Sequence, residues 1–243
     1  MKADARDWTI ARALEAPLGT IGVDDRQTAG LNRLGGRRIN HAVWGALAQM
    51  APDKVFACPG GADASMATSG MDTASGAPRP WVLTEGFNET ACGGRPDKDG
   101  MEGQGSNVTN QANTPVEVLE AEHPIRIVEY GFARDTEGPG KFRGGLALVR
   151  TYEYLADDTV VRTRADRTRR PPWGLFGGGS APGARVTLTA DGTETELPGK
   201  SVVVMRSGHR LRTQWCGGGS MRRRPSDSGL GSALRAATSF RRR

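Results

Sequence analysis

No stretch of this sequence approaches the run of about 20 apolar residues that a membrane-spanning helix needs. The opening residues, Met1–Ile10, are polar and hold no apolar segment of the secretory kind, so a cytoplasmic protein is expected. Cysteine is scarce. Cys58, Cys92 and Cys216 are odd in number, far apart, and never at metal-ligand spacing, which implies neither a disulfide framework nor a thiolate metal site. Histidine is equally scarce, and no two of His41, His123 and His209 are spaced to share a metal. No serine lies in a nucleophile-elbow context, and there is no dinucleotide fingerprint. Gly138-Pro-Gly-Lys141 resembles a phosphate loop only briefly, because Asp135 and Phe142 stand where such a loop needs glycine and a hydroxyl residue.

Charge of one sign is also missing from most of the chain. The formal net charge is +6, and the seven arginines and one aspartate of residues 217–243 account for all of it. The neutral remainder carries no electrostatic signature for phosphate backbones, which makes nucleic acid an unlikely partner. Such a partner would have to be bound through the arginine-rich tail.

Glycine, by contrast, is abundant at 34 residues, which signals turns and close backbone approaches. Ile39, Ala42, Val43, Ala46, Leu47 and Met50 recur at helical spacing and predict an amphipathic helix ended by Pro52. Residues 57–80, rich in Gly, Ala, Ser and Pro, read as a loop, as do residues 93–113. From about residue 115 the pattern becomes β. Strands are expected over 125–132, 146–155, 159–163, 184–188, 194–197 and 201–205, paired antiparallel through local turns. Asp191-Gly192 is the best hairpin signal. The fold class is therefore α+β: a helix and long Gly-rich loops, then an antiparallel β-rich region. Residues 220–243 lack any apolar period and predict a disordered basic tail, with the domain proper over 1–219.

Two glycine blocks stand out, Phe142-Arg-Gly-Gly145 and Pro171-Pro-Trp-Gly-Leu-Phe-Gly-Gly-Gly179. They fit chain reversal at a sheet rim, or backbone amides offered to a ligand; elementary physics favours the first. Arg143 and Asp166 are the charges in these surroundings least easily explained by packing. Either Arg143 anchors the glycine loops through an acidic or carbonyl partner, with Asp166 the leading candidate, or both are solvated surface charges.

Three ordered blocks resemble the last third of hydantoinase B/5-oxoprolinase subunits, the family that includes N-methylhydantoinase B and acetone carboxylase-like proteins. They are Asn113-Thr-Pro-Val-Glu-Val-Leu-Glu120 with Pro124, Gly138-x-Gly-x-Phe-Arg-Gly-Gly145, and Asp166-Arg167 with Pro171–Gly178. Thr109-Asn110 and the helix around Gly45–Gln49 fit as well, so the resemblance runs from about Leu31 to Gly219. It marks Asn110, Asn113, Glu117, Arg143, Asp166 and Arg167 as motif positions, and it assigns no catalytic residue and no metal ligand within this chain.

The resemblance implies ATP-dependent opening of a cyclic amide such as 5-oxoproline or a hydantoin, whereas some relatives carboxylate a ketone. It implies ATP on a partner hydantoinase A-type subunit. It also implies a divalent metal in an N-terminal part of the B-type polypeptide, outside this fragment, which a separate N-terminal half could supply. The fragment alone is expected to be inactive. A non-catalytic remnant or assembly module of the same family is the rival. Family members usually end in a glycine run followed by Tyr-Gly-Asp-Pro. Here Gly217-Gly-Gly219 leads into Ser-Met-Arg-Arg-Arg, which reads as translation in a shifted frame.

Overall fold

A computed structural model describes residues 40–61, 65–85, 90–104 and 112–222. The first described element is helix α1 at 40–50, where helical spacing placed it. Pro52 stops it, and the Ala51 and Lys54 amides close its end on Leu47 and Ala51 carbonyls. Its apolar stripe is turned inward only in part. His41, Ala46 and Ala48 are buried, whereas Leu47 and Met50 are exposed.

Strands β1 (Ser65–Asp72) and β2 (Arg79–Glu85) form an antiparallel hairpin. The expected loop over 57–80 is thus corrected: β1 lies inside it. Met66 and Thr68 alternate inward and are almost fully buried, and small residues between them hide the two-residue period. The turn closes through the Ala74 amide on Asp72 Oδ1 (3.1 Å) and Gly76 at φ +85°.

A short helix, α2 (Val116–Glu122), follows Pro115, buries Leu119 and ends before Pro124. The remaining strands are β3 (Ile125–Phe132), β4 (Leu148–Tyr154), β5 (Thr159–Arg164), β6 (Arg185–Ala190), β7 (Thr193–Glu196), β8 (Lys200–Met205) and β9 (Arg210–Gln214). The six predicted strands are all present; β2, α2 and β9 were not anticipated. Asp191 (φ +50°) and Gly192 (φ +75°) join β6 to β7 with both residues left-handed, as a type I′ hairpin turn requires.

Among the described residues the strands pair antiparallel, in two sheets ordered β2-β1-β5-β8 and β3-β4-β9-β6-β7. The sheets bury a shared core. Met66, Trp81, Leu83, Val161 and Met205 come from the first, and Ile125, Tyr152, Tyr154, Val186 and Leu211 from the second. The Tyr154 hydroxyl reaches across to Thr68 (3.4 Å) and Met66 Sδ (3.3 Å). Burial pushes the Tyr154 phenol well above its ordinary pKa, against the lowering effect of the Thr68 contact.

Beside this sandwich lies a layer made almost entirely of backbone. Segments around 57–60, 91–101, 133–147, 172–181 and 215–222 interlock through main-chain hydrogen bonds. The Gly94 amide donates to Gly219, Gly219 to Cys58, Cys58 to Trp173, Gly138 to Gly218, Gly218 to Gly145, and Gly145 to Cys92. The run Gly217–Gly219 threads the middle. A methyl group on Gly218 would overlap the Cys92 carbonyl, and one on Gly144 would overlap the Gly218 carbonyl. The close packing of bare backbone, rather than turning at a rim, is why these blocks are glycine.

This layer corrects the boundary at residue 220. Ser220 and Met221 are fully buried. Ser220 Oγ donates to the Pro139 carbonyl (2.6 Å), and Met221 bridges Phe142 and Leu175. A hydroxyl that reaches two carbonyls and a fully buried apolar side chain continue the domain through Arg222. The expected tail over 223–243 lies outside the described residues.

Candidate functional site

The sequence-marked positions do not converge on one place. Asn110 lies outside the described residues. Glu117 is exposed in the first turn of α2, where a carboxylate complements the helix dipole. Asn113 Nδ2 donates to the Tyr130 hydroxyl (2.8 Å), and Thr114 Oγ1 donates to Glu85 (2.5 Å). The Asn-Thr-Pro block therefore ties the approach to α2 onto the sandwich.

Arg143 does anchor the glycine layer, but not through Asp166. Its guanidinium meets Glu102 (2.5 Å) and Asp99 (3.7 Å), its amide donates to Asp99 Oδ1 (2.9 Å), and Nη1 donates to the Gly144 carbonyl (3.1 Å). The Glu102 hydrogen bond, followed by the attraction of Glu102 and Asp99, outweighs burial and raises its pKa further. Both carboxylates come from the Asp- and Gly-rich segment 93–113, not from the segment after β5.

The strongest buried charge was missed. Arg150 is fully buried and pairs with Glu85 across the two sheets (3.3 Å), with its guanidinium 4.2 Å from the Tyr130 ring centre. The signal was present in the sequence. Two-residue spacing sets Arg150 on the same face of β4 as the core residues Tyr152 and Tyr154.

Asp166 and Arg167 do share a site. A cleft of about 670 Å³ opens between α1 and the segment that follows β5. His41, Ala42, Gly45, Ala48 and Gln49 form one wall; Asp166, Arg167, Arg170, Trp173 and Leu175 form the other. Helical spacing presents 41, 45 and 48 on one side of α1. The Pro171-Pro172 pair stiffens the turn that presents Trp173. The backbone of Gly61, at φ +42°, presses against the His41 ring, where any side chain would collide with the imidazole. Arg167 is itself left-handed, at φ +63°. Its Nη2 donates to the buried Cys58 sulfur (3.1 Å), while its buried Nε finds no acceptor among the described residues. His41 and Asp166 are both engaged.

The cleft does not suit a divalent cation. Its candidate donors, His41 and Asp166, stand beside two arginines. Among the described residues no three or more His, Cys, Asp or Glu side chains gather to hold a metal. The Gly138–Lys141 turn does not suit a phosphate cradle either, because the Gly138 and Lys141 amides are spent on Gly218 and Arg222 carbonyls. Among the described residues no helix is long and apolar enough to cross a membrane.

The sequence profile of the hydantoinase B/oxoprolinase family matches residues 13–221. The chain belongs to that family. The match includes α1, both sheets and the whole glycine layer through Met221, so the departure at Ser220-Met221 falls within the family's span.

The B-type component of a putative D-/L-hydantoinase from Pseudomonas sp. (strain NS671) is 32% identical over 143 residues, covering 59% of this chain and 23% of that protein. An uncharacterized protein of Methanocaldococcus jannaschii is 38% identical over 107 residues, 44% of this chain and 19% of that protein. The 5-oxoprolinase 1 of Arabidopsis thaliana is 32% identical over 140 residues, 56% of this chain and 11% of that one. The chain thus matches less than a quarter of the length of each of these relatives.

Nucleotide-free acetone carboxylase shares the fold at TM-score 0.62 and 15% identity, over 76% of this chain and 30% of that one. ATP-dependent caprolactamase from Pseudomonas jessenii does so at TM-score 0.61 and 20% identity, over 84% and 36%.

Proposed function

We propose that this hydantoinase B/oxoprolinase chain supplies part of the B-type portion of an ATP-dependent hydrolase of cyclic amides, of the 5-oxoprolinase or hydantoinase type. Within it, the cleft between α1 and Asp166–Leu175 binds and orients the ligand. The observation that carries the reading is that two family-like blocks distant in sequence, the α1 helix and the Asp-Arg…Pro-Pro-Trp segment, form opposite walls of one cleft. ATP held on an A-type partner supplies the phosphoryl group that makes a resonance-stabilised amide carbonyl a better electrophile. This chain's residues have a different share. Trp173 and Leu175 exclude water from one side of a bound ring, and Arg167 fixes its orientation by charge. The metal and phosphoryl machinery belongs to other parts of the assembly.

The test is reconstitution. Purified chain alone should neither hydrolyse ATP nor open 5-oxoproline. An A-type partner together with the remainder of a B-type polypeptide should restore lactam-dependent ADP release. Turnover by the isolated chain, or no turnover in any reconstituted assembly, would sink the reading.

The rival, a non-catalytic assembly module, is favoured by one observation: the glycine blocks spend their amides on each other. It expects Arg167→Lys to leave turnover of the assembly unchanged; the ligand-binding reading expects a clear rise in KM.

A further inference from the structure

The outward faces of the two sheets differ in chemistry. On the second sheet that face is charged and internally matched. Arg126 and Arg210 flank Glu153 (4.0 and 3.6 Å), and Arg212 pairs with Glu129 (3.0 Å). This is the solvated side expected of an antiparallel sheet whose other face lies on a core. The first sheet departs from that pattern. Its register sets Val82, Ser69, Val160 and Val204 side by side across all four strands, on the face turned away from Met66, Trp81 and Val161. Val82 is 70% exposed, Val202 64% and Val204 58%, and Met71 extends the apolar surface along β1. Ala67 and Ser69 between them are small, so no long side chain stands in the middle of the face.

Charge on this face has one sign. No Asp or Glu occupies an outward position on β1, β2, β5 or β8, whereas Arg162, Arg164 and Lys200 gather at one end, with Arg164 opposite Lys200. Among the described residues neither Arg162 nor Lys200 has an ion-pair partner. A contiguous exposed apolar surface with a basic end marks a docking face rather than a solvated one. The basic end calls for carboxylates on the occupant. The chain's own residues 223–243 carry six arginines against one aspartate, and a second copy paired about a two-fold axis would bring the same cations and no acid. A membrane surface is held by aromatic anchors and larger basic clusters, and no outward position of these strands is aromatic. In acetone carboxylase and the caprolactamase the matched fold makes up 30% and 36% of the chain, so it occurs there beside a larger body of polypeptide. A sheet with a core on one side and an apolar face on the other is completed when a helix lays its apolar stripe on that face.

We propose that the outward face of the first sheet docks an acidic amphipathic helix from another part of the B-type portion, with the helix's apolar stripe on Val82, Val160 and Val204 and its carboxylates on Arg162 and Lys200. This rests on the reading that the chain supplies part of a B-type portion, and it names the surface through which the chain joins the rest.

The experiment titrates the full purified chain into fluorescent helical peptides of about 20 residues, followed by anisotropy. Two peptides share one leucine stripe at helical spacing; glutamates flank it in one and lysines in the other. The glutamate peptide should bind at least about tenfold more tightly, and the difference should shrink as salt rises. R162E/K200E should reverse that preference. V82T/V204T keeps the β-branched shape but puts hydroxyls under the stripe, and should weaken both peptides by about tenfold. Its Tm should stay unchanged, because both positions face solvent in the isolated chain. Binding of neither peptide, equal binding of the two, or affinities untouched by both double variants overturns the proposal. So does a clear fall in Tm for V82T/V204T, which would place a segment of this chain on the face. Dimers in sedimentation that V82T/V204T dissolves would assign the face to a second copy. Binding to phosphatidylserine vesicles that R162E/K200E abolishes would assign it to a membrane, and either result overturns the helix. Glutamate selectivity that persists while every reconstituted assembly stays inactive upholds the docking face and removes the proposed reaction. An active assembly whose turnover is indifferent to R162E/K200E does the reverse.

Discussion

The sandwich and the glycine layer are held together by opposite means. Between the sheets, large side chains such as Trp81, Tyr152, Tyr154 and Trp215 fill the space, and a buried Arg150–Glu85 pair crosses the gap. In the layer, backbone meets backbone, and hydrogen bonds among Cys58, Gly94, Gly138, Gly145, Gly218 and Gly219 take the place of side-chain packing. The sandwich should therefore tolerate a change of side-chain shape if volume and charge balance are kept. The layer should tolerate almost no added atom at its centre.

The largest expected effect tests the sandwich. Arg150→Ala leaves the buried Glu85 without its counter-ion and should cost about 3–5 kcal/mol in chemical denaturation. Removing both charges with R150M/E85L should recover most of that loss, because paired burial gives little net stability. A double variant as unstable as the single one would show that the sandwich, too, resists substitution.

Next comes the layer. Gly218→Ala should cost about 3 kcal/mol, near the upper end for overpacking, because a rigid carbonyl rather than a flexible side chain stands in the way. Gly192→Ala, at a hairpin tip with open space around it, should cost only about 1 kcal/mol for its positive φ. Similar losses at the two sites would erase the distinction between the regions.

Smaller again is the effect of chain length. Ending the chain after Gly219 removes the buried Met221 and should cost about 2 kcal/mol, visible as a lower Tm. Ending it after Arg222 should change stability by less than about 0.5 kcal/mol, since the arginine- and serine-rich remainder has little apolar surface to bury.

The smallest effect is at the sandwich surface. Burial favours a raised pKa for Glu129, but hydrogen bonds from Arg212 and Thr151 outweigh it and hold the carboxyl below its usual value. A folded pKa below the unfolded one stabilises the fold above about pH 4.3 and loses that contribution as pH falls through the folded value. Both side chains are more than a third exposed, so Glu129→Gln should remove less than about 1 kcal/mol of acid sensitivity in urea melts between about pH 5 and pH 3.

The same contrast decides what could be read in the sequence. Strands β3 to β8, the end of α1 and the Asp191-Gly192 turn were legible because period and turn chemistry are local. Strand β1 was not, because Ala67, Ser69 and Gly70 look like loop residues even between buried Met66 and Thr68. Strand β9 alternates only Leu211 and Thr213 with arginine and glutamine, too short a pattern to stand out. Backbone-to-backbone packing has no period at all, so the glycine blocks revealed their importance but not their arrangement. At the cleft, Asp166 and Arg167 were singled out as motif positions. That they face α1, and that Cys58 grips Arg167, depends on the way distant segments are woven together.

That weaving also imposes an order on biogenesis. The strand of backbone at the centre of the glycine layer, Gly217–Met221, leaves the ribosome after every segment it joins, yet Cys58, Gly94, Gly138 and Gly145 all hydrogen-bond to it. The hairpins can pair as they emerge. The layer cannot close until synthesis has passed Met221, and until then its earlier segments wait with amides and carbonyls unmatched. Such long-range closure is intrinsically slow. A ribosome stalled just short of that point would carry a chain with its sandwich poised and its glycine layer open. At that stage a chaperone would have the best access to it.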